Sequence, residues 1–190
     1  MQKLNETKNV FFDMDGVLCE YTPEDYTTDF LSVARTSTHY FKNRHPQTQV
    51  VAAMRLLIAN HYKNVGDMNV SALSTLVTTP NGEIIPEHIV DKQIWLAQHG
   101  IQTPLFTAIQ GHLSKAELAE QILDRPLTKH DYLIDDYRRN LNDWSEHGGC
   151  AILCRNNINK DKAFAGLSID IAEKTDYAFY KELEYLISKH

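Results

Sequence analysis

Short apolar runs alternate with segments of helical periodicity along most of this 190-residue chain. Turn-forming residues follow several of the apolar runs, which predicts buried β-strands. The predicted strands cover residues 9–12, 70–76, 105–109, 132–134 and 151–153. Helices are expected to begin near Pro46 and after Ser114 and to cover 86–99, 138–147 and 176–189. This alternation is typical of an α/β fold, here a Rossmann-like parallel sheet flanked by helices.

Residues 19–66 lie between the first two predicted strands and carry helical signals. Thr22 followed by Pro23 fits a helix N-cap with proline at the first helical position. Further on, apolar residues recur at three- and four-residue spacing. We therefore expect a small helical cap over residues 19–66, inserted after the first strand into a core formed by 1–18 and 67–190.

Composition and charge narrow the classes of function. The net charge of -6 and the pI of about 5.8 argue against a nucleic-acid-binding surface. No apolar run approaches the ~20 residues of a membrane span, and the N-terminus has no apolar stretch typical of a signal peptide. The three cysteines, Cys19, Cys150 and Cys154, lack metal-site spacing and favour a reducing compartment. We expect a cytoplasmic protein whose partners include neither nucleic acid nor a membrane.

Polar residues of chemical interest fall at predicted strand ends or helix starts. Ser114 and Glu117 fit a capping box, which would place Lys115 in the first turn of a helix that faces the strand tips. In parallel sheets, ligands bind beyond the carboxyl ends of the strands. One edge of the sheet would therefore collect Asp13, Asp15, Ser74, Thr75, Lys115, Asp135 and Asp136.

This set of residue types suits phosphate chemistry. Four carboxylates on one edge would repel each other unless a cation lay among them, and oxygen ligands suit Mg²⁺. An aspartate beside the ion can attack a phosphate ester as a nucleophile, and a second aspartate can protonate the leaving oxygen. A hydroxyl and an ammonium group would hold the remaining phosphate oxygens.

Each piece also has a purely structural interpretation. Asp-x-Asp-Gly at Asp13 can be a turn, and the Asp135-Asp136 pair can cap a helix. Ser74 can satisfy backbone groups at a strand end, and Lys115 can be a solvated surface residue. The chemical interpretation is favoured because all four occur in order, each after an apolar strand or at a helix start.

These positions resemble the motifs of the haloacid dehalogenase superfamily of phosphotransferases. The stretch Val10–Leu18 resembles the first motif, Ser74 the second, Lys115 the third and Asp135-Asp136 the fourth. The resemblance implies that Asp13 is nucleophile and metal ligand, and that Asp15 is general acid and base with its backbone carbonyl on the metal. It also implies phosphate binding by Ser74, its neighbour Thr75 and Lys115. Asp135 and Asp136 would complete a Mg²⁺ site, with the direct ligand of that pair left open.

A narrower resemblance is to the small-cap 5'(3')-deoxyribonucleotidase group. It rests on His39-Tyr40-Phe41 with Pro46, and on the segment 135–144 followed by Gly148-Gly149. The resemblance implies that Tyr40 and Phe41 help to cover a nucleobase. The alternative is that the two aromatic residues anchor cap helices to each other.

The sequence therefore predicts a Mg²⁺-dependent phosphomonoester hydrolase that forms an aspartyl-phosphate. Its substrate would be a small phosphorylated metabolite, and a nucleoside monophosphate is favoured. The protein would be a monomer or a homodimer. One alternative is a phosphatase for a sugar phosphate or another small metabolite. The other is a non-catalytic nucleotide-binding module that keeps the fold.

Overall fold

The computed structural model describes residues 7–21, 39–63, 68–79, 81–159, 163–172 and 174–189. These residues form one sheet whose strands are β1 (Lys8–Phe12), β2 (Met68–Leu76), β3 (Leu105–Ile109), β4 (Asp131–Asp135), β5 (Cys150–Arg155) and β6 (Leu167–Asp170). Every neighbouring pair is parallel, in the order β3-β2-β1-β4-β5-β6. The chain order reverses at β1, where such sheets open a crevice at their carboxyl ends.

Helices cover both faces of this sheet. They are α1 (Thr48–Lys63), α2 (Pro86–Gln98), α3 (Lys115–Leu123), α4 (Arg138–Glu146) and α5 (Asp176–Lys189), with a short 3-10 helix at Phe41–Asn43. Helices α1 and α5 pack together on one face, and α3 and α4 pack on the other. Helix α2 packs against the 3-10 helix. The predicted α/β fold, a Rossmann-like parallel sheet flanked by helices, is confirmed.

The two faces of β1 show why its sequence is continuously apolar. Val10 and Phe12 belong to the core under α1 and α5, whereas Phe11 belongs to the core under α3 and α4. The Phe11 ring meets the Trp144 ring of α4 edge-on, with centroids 5.5 Å apart. Because a central parallel strand is buried on both sides, no polar alternation remains in its sequence.

Helix α1 lies within the range expected for the cap, but its apolar side belongs to the core. Val50, Met54 and Leu57 pack in the same cluster as Phe179 of α5. Residues 22–38, which include the helix start expected at Thr22-Pro23, lie outside the described residues. Among the described residues on either side of it, the Glu20 amide donates to the His45 carbonyl at 2.8 Å.

Two further features bear on the sequence expectations. The strand β6 was not predicted, because its four residues include only two apolar ones. The capping box at the start of α3 is present, with the Glu117 amide 3.2 Å from Ser114 Oγ and the Ser114 amide 2.7 Å from Glu117 Oε2. None of the described helices is both long and apolar enough to cross a membrane.

Candidate active site

Asp13 lies directly after β1, at the carboxyl edge of the sheet. Its amide extends the parallel ladder by donating to the Ile134 carbonyl at 2.9 Å, which fixes the backbone. Its Oδ1 atom accepts hydrogen bonds from the Met14 amide and from Lys115 Nζ, each at 2.7 Å. No described residue donates a hydrogen bond to Oδ2. One oxygen of the predicted nucleophile is therefore held while the other is free to react.

Lys115 joins two of the predicted acidic residues. The capping box places it in the first turn of α3, and its side chain is buried. Its Nζ atom lies 2.7 Å from Asp13 Oδ1 and 2.7 Å from Asp135 Oδ2. Burial alone would lower the pKa of Lys115, but the neighbouring carboxylates of Asp13 and Asp135 outweigh it and raise that pKa. The lysine therefore stays charged at the position predicted for phosphate binding.

Asp135 and Asp136 follow each other at the end of β4, but their surroundings differ. Asp135 Oδ1 accepts from the Tyr137 amide at 2.7 Å, and Oδ2 accepts from Lys115 and from Asn140 at 2.9 Å. Asp136 Oδ2 accepts from Asn156 Nδ2 at 2.9 Å, and no described donor reaches its Oδ1. Carboxylate oxygens of Asp13, Asp135 and Asp136 lie within 4.8 Å of one another.

Gly16 allows the Asp13 loop to approach Asp136 closely. It has a φ of +87°, and a Cβ atom at this position would lie 2.3 Å from Asp136 Oδ2. Asn156 Nδ2 donates both to the Gly16 carbonyl and to Asp136 Oδ2, each at 2.9 Å. The glycine of the Asp-x-Asp-Gly motif is therefore required by a contact between the first and fourth motifs, as well as by its backbone conformation.

The buried carboxylates are short of positive charge. Desolvation raises the pKa of Asp13 to about 7, against the attraction of Lys115 and with added repulsion from Asp135 and Asp15. Desolvation and the neighbouring Asp135 and Asp13 likewise raise the pKa of Asp136. Repulsion of this kind disfavours ionisation unless a cation joins the cluster.

The donor set fits a hard divalent ion. The cluster and the adjoining Asp15 comprise four carboxylates, and two ammonium groups, those of Lys92 and Lys115, contact them within the described chain. Two negative charges then remain uncompensated if all six groups are ionised. Mg²⁺ carries that charge and prefers carboxylate and carbonyl oxygens. Asp13, Asp136 and Asp135 could therefore hold it.

Asp15 lies on the other side of the loop, near Ser74 and Lys92. Its Oδ2 atom is 2.5 Å from Lys92 Nζ and 3.3 Å from Ser74 Oγ. Ser74 is fully buried on β2. Lys92 comes from the middle of α2 and was missed by the sequence reasoning, which selected residues only at strand ends and helix starts.

The remaining predicted residues lie further from the carboxylates. Thr75 is half-buried and projects from the opposite face of β2 to Ser74. Phe41 is only 2% exposed, whereas Tyr40 is partly exposed and accepts a hydrogen bond from Arg44 at 3.0 Å. The two rings meet edge-on with centroids 5.1 Å apart. Phe41 packs on Val77, His88 and Lys92, which lie outside the range expected for the cap, so both interpretations of the aromatic pair stay predictions.

Three asparagines that support the acidic residues were also missed. Asn140 donates to Asp135, and Asn156 donates to Asp136. Asn159 Nδ2 donates to the Asp136 carbonyl at 3.0 Å and to the Cys154 carbonyl at 2.9 Å. Asn156 directly follows β5, so the strand-end rule that selected Asp135 would also have selected it.

Comparisons with known proteins agree on the fold. No protein-family model and no curated protein sequence matches the chain. A D,D-heptose 1,7-bisphosphate phosphatase from B. bronchiseptica, complexed with magnesium and phosphate, is similar in structure with a TM-score of 0.61 and 13% identity, over 95% of this chain and 99% of that one. A haloacid dehalogenase-like hydrolase from Streptococcus pneumoniae gives a TM-score of 0.59 and 10% identity, over 95% and 98%. A β-phosphoglucomutase from Clostridium difficile gives 0.50 and 14%, over 95% and 99%. The chain has the haloacid dehalogenase fold.

Proposed function

We propose that the chain is a Mg²⁺-dependent phosphomonoester hydrolase that works through an aspartyl-phosphate on Asp13. The observation that carries the proposal is the set of contacts of Asp13: Oδ1 accepts from Lys115 and the Met14 amide, and Oδ2 has no donor among the described residues. A fixed carboxylate with one free oxygen is arranged for nucleophilic attack.

The residues divide the reaction into two steps. Asp13 Oδ2 attacks phosphorus, the bond between phosphorus and the ester oxygen breaks, and Asp15 gives its proton to that oxygen. Asp15 then takes a proton from water as the water attacks phosphorus, which releases phosphate and restores Asp13. Lys115 and Ser74 hold phosphate oxygens. Bound Mg²⁺ would neutralise negative charge on the phosphate and the carboxylates.

Within the pair at the end of β4, we assign the direct metal contact to Asp136. Both oxygens of Asp135 already accept hydrogen bonds from protein donors, while Asp136 Oδ1 has none from the described residues. Asp135 would act by orienting Lys115. The range proposed for the cap would end before α1, since the apolar side of α1 packs in the core.

The proposed substrate is a nucleoside monophosphate, with the activity of a 5'(3')-deoxyribonucleotidase. Its support is the resemblance of the segments around Tyr40 and Asp135, together with the partly exposed Tyr40 ring, which could stack on a base. A sugar phosphate is the second candidate, supported by the structural similarity to a heptose bisphosphate phosphatase. Because that likeness is one of fold, substrate turnover has to separate the two.

The test is phosphate release from a panel of nucleoside monophosphates and sugar phosphates with Mg²⁺, with Asp13→Asn beside the wild type. We expect faster turnover of nucleotides than of the matching ribose and deoxyribose phosphates, and a loss of at least about 10,000-fold in Asp13→Asn. Faster turnover of sugar phosphates would keep the mechanism and replace the substrate class. Release that persists in Asp13→Asn, or no release at all, would contradict the mechanism.

A further inference from the structure

Lys92 is a fully buried cation at the site, and none of the predicted steps uses it. Its side chain is 0% exposed, and Nζ lies 2.5 Å from Asp15 Oδ2. The same Nζ lies 3.9 Å from the centroid of the Phe41 ring, which is itself buried. A lysine is rarely buried to this degree without a specific partner. Here the partners are an aromatic face and a catalytic carboxylate.

The contacts of Asp15 distinguish its two oxygens. Oδ2 faces two donors, Lys92 Nζ and Ser74 Oγ, and an ammonium group has no lone pair with which to accept a hydrogen bond. Lys92 can therefore only donate to Oδ2, whereas the Ser74 hydroxyl can either donate or accept there. No described residue bonds to Oδ1, which leaves Oδ1 as the oxygen of Asp15 that is open to a substrate.

We propose that Lys92 is a positioning residue for Asp15, which it holds with Oδ1 turned toward the leaving oxygen of the substrate. This inference rests on the proposed function. During transfer, the bond from Asp13 Oδ2 to phosphorus forms and the ester bond breaks, while the proton on Asp15 Oδ1 moves to the leaving oxygen. Negative charge develops on Asp15 as its proton leaves, and the ammonium of Lys92 is already in place beside it.

Contacts on either side of Lys92 hold helix α2 in place and so fix the contact between Lys92 and Asp15. Trp95, one turn after Lys92, is fully buried and its Nε1 atom donates to the Arg44 carbonyl at 2.8 Å. Phe41 also packs on His88, one turn before Lys92, with ring centroids 4.8 Å apart. Phe41 thus supports Asp15 through Lys92, since its ring packs against the ammonium group of that lysine.

The test compares two leaving groups in Lys92→Met, which keeps an unbranched apolar side chain against Phe41. An alkyl phosphate, such as a nucleoside monophosphate, needs its leaving oxygen protonated, whereas p-nitrophenyl phosphate leaves as a stable anion. The quantity measured is kcat/KM, which covers the steps through the first irreversible one. We expect a loss of about 100-fold for the alkyl ester and less than about 5-fold for the aryl ester.

Two further variants keep the test decisive. Lys92→Gln retains a donor without the charge, and we expect an intermediate ratio between the two esters. Asp91→Asn is the matched control, because Asp91 is a buried neighbour on α2 that contacts His39 at 3.0 Å and not Asp15. It should leave the ratio of the two esters at the wild-type value.

The outcomes separate this inference from the proposed function. Equal losses for both esters in Lys92→Met and Lys92→Gln, with wild-type turnover intact, would overturn the positioning role and leave the hydrolase standing. A wild-type protein that turns over neither ester would overturn both. Circular dichroism and thermal unfolding of each variant would establish that the compared proteins are folded.

Discussion

The two ends of β4 each carry an aspartate, but the two aspartates differ in their hydrogen bonds and in the charges around them. Asp131 begins the strand and Asp135 ends it, and both are fully buried. Asp131 accepts five hydrogen bonds, two of them from the Arg125 guanidinium at 2.7 and 2.8 Å, with the others from Asn9 and Thr128. Lys115 is the one cation that contacts Asp135 among the described residues; Asp13 shares it, and Asp136 lies beside them.

The difference shows in the pKa shifts at the two ends. At Asp131, burial would raise the pKa, but hydrogen bonds from Arg125, Asn9 and Thr128 outweigh it and lower the pKa. At the other end, burial raises the pKa of Asp13 to about 7 and also raises that of Asp136. An aspartate whose oxygens accept several hydrogen bonds stabilises the fold. Several aspartates close together destabilise the metal-free fold by repulsion and are arranged to bind a cation.

Among the changes that compare the two ends of β4, the largest expected effect comes from the matched pair Asp135→Asn and Asp131→Asn. Each change replaces one acceptor oxygen by an NH₂ group that faces hydrogen-bond donors. The loss of hydrogen bonding at the substituted side chain is therefore similar in the two variants. Asp135→Asn should lower kcat/KM at least about 100-fold, since it releases Lys115 from its position. Asp131→Asn should leave activity near wild type and reduce the free energy of unfolding by about 2 kcal/mol. Steady-state kinetics and urea unfolding check both variants, and a large activity loss in Asp131→Asn would contradict the comparison.

The same contrast explains which parts of the molecule could be predicted from sequence. Asp13, Ser74 and Asp135 could be selected as candidate site residues because a buried strand is a short apolar run whose carboxyl end can be located in the sequence. Lys92 was missed because its contact with Asp15 depends on how α2 crosses the edge of the sheet. Tertiary packing determines where α2 crosses the edge of the sheet, and the local pattern of apolar residues does not predict it.

The cap boundary and β6 show a related limit. Helical periodicity in α1 was interpreted as part of a cap, but an amphipathic helix buries its apolar side equally well against a cap or a sheet. Met54 of α1 and Phe179 of α5 belong to the same core cluster, which supports a shorter cap than 19–66. The strand β6 pairs only with β5 at the edge of the sheet, where Ser168 and Asp170 interrupt the apolar pattern that would mark a strand.

A smaller effect should appear in the pH dependence of stability without metal. Folded Asp13 keeps its proton up to about pH 7, whereas the unfolded chain releases it near pH 4. The folded state binds more protons in this window, so its stability falls as pH rises from about 4 to about 7. Asp131 has the opposite sign: its contribution is present above about pH 4 and is lost only as pH falls through its lowered pKa.

Thermal unfolding in EDTA should therefore give a midpoint at least about 4 °C lower at pH 7.5 than at pH 5. Added Mg²⁺ should reduce or reverse this difference, because it binds the ionised cluster. Asp13→Asn is the control, since it removes the Asp13 titration and should make the profile in EDTA shallower, with the contribution of Asp136 remaining. A midpoint in EDTA that rises from pH 5 to pH 7.5 would contradict the charge balance inferred for the carboxyl edge.

The smallest expected effects come from removing one asparagine donor at each end of β4. Asn140 donates to Asp135 at 2.9 Å, and Asn9 donates to Asp131 at 2.7 Å. Asn140→Ala should lower kcat/KM about 10-fold, because Asp135 then orients Lys115 less well. Asn9→Ala should leave kcat/KM unchanged and reduce the free energy of unfolding by about 1 kcal/mol, because Arg125 and Thr128 still hold Asp131. Kinetics and urea unfolding of both variants make the comparison. If both variants lost activity equally, or both lost only stability, the two ends of β4 would not differ in the way their hydrogen bonds indicate.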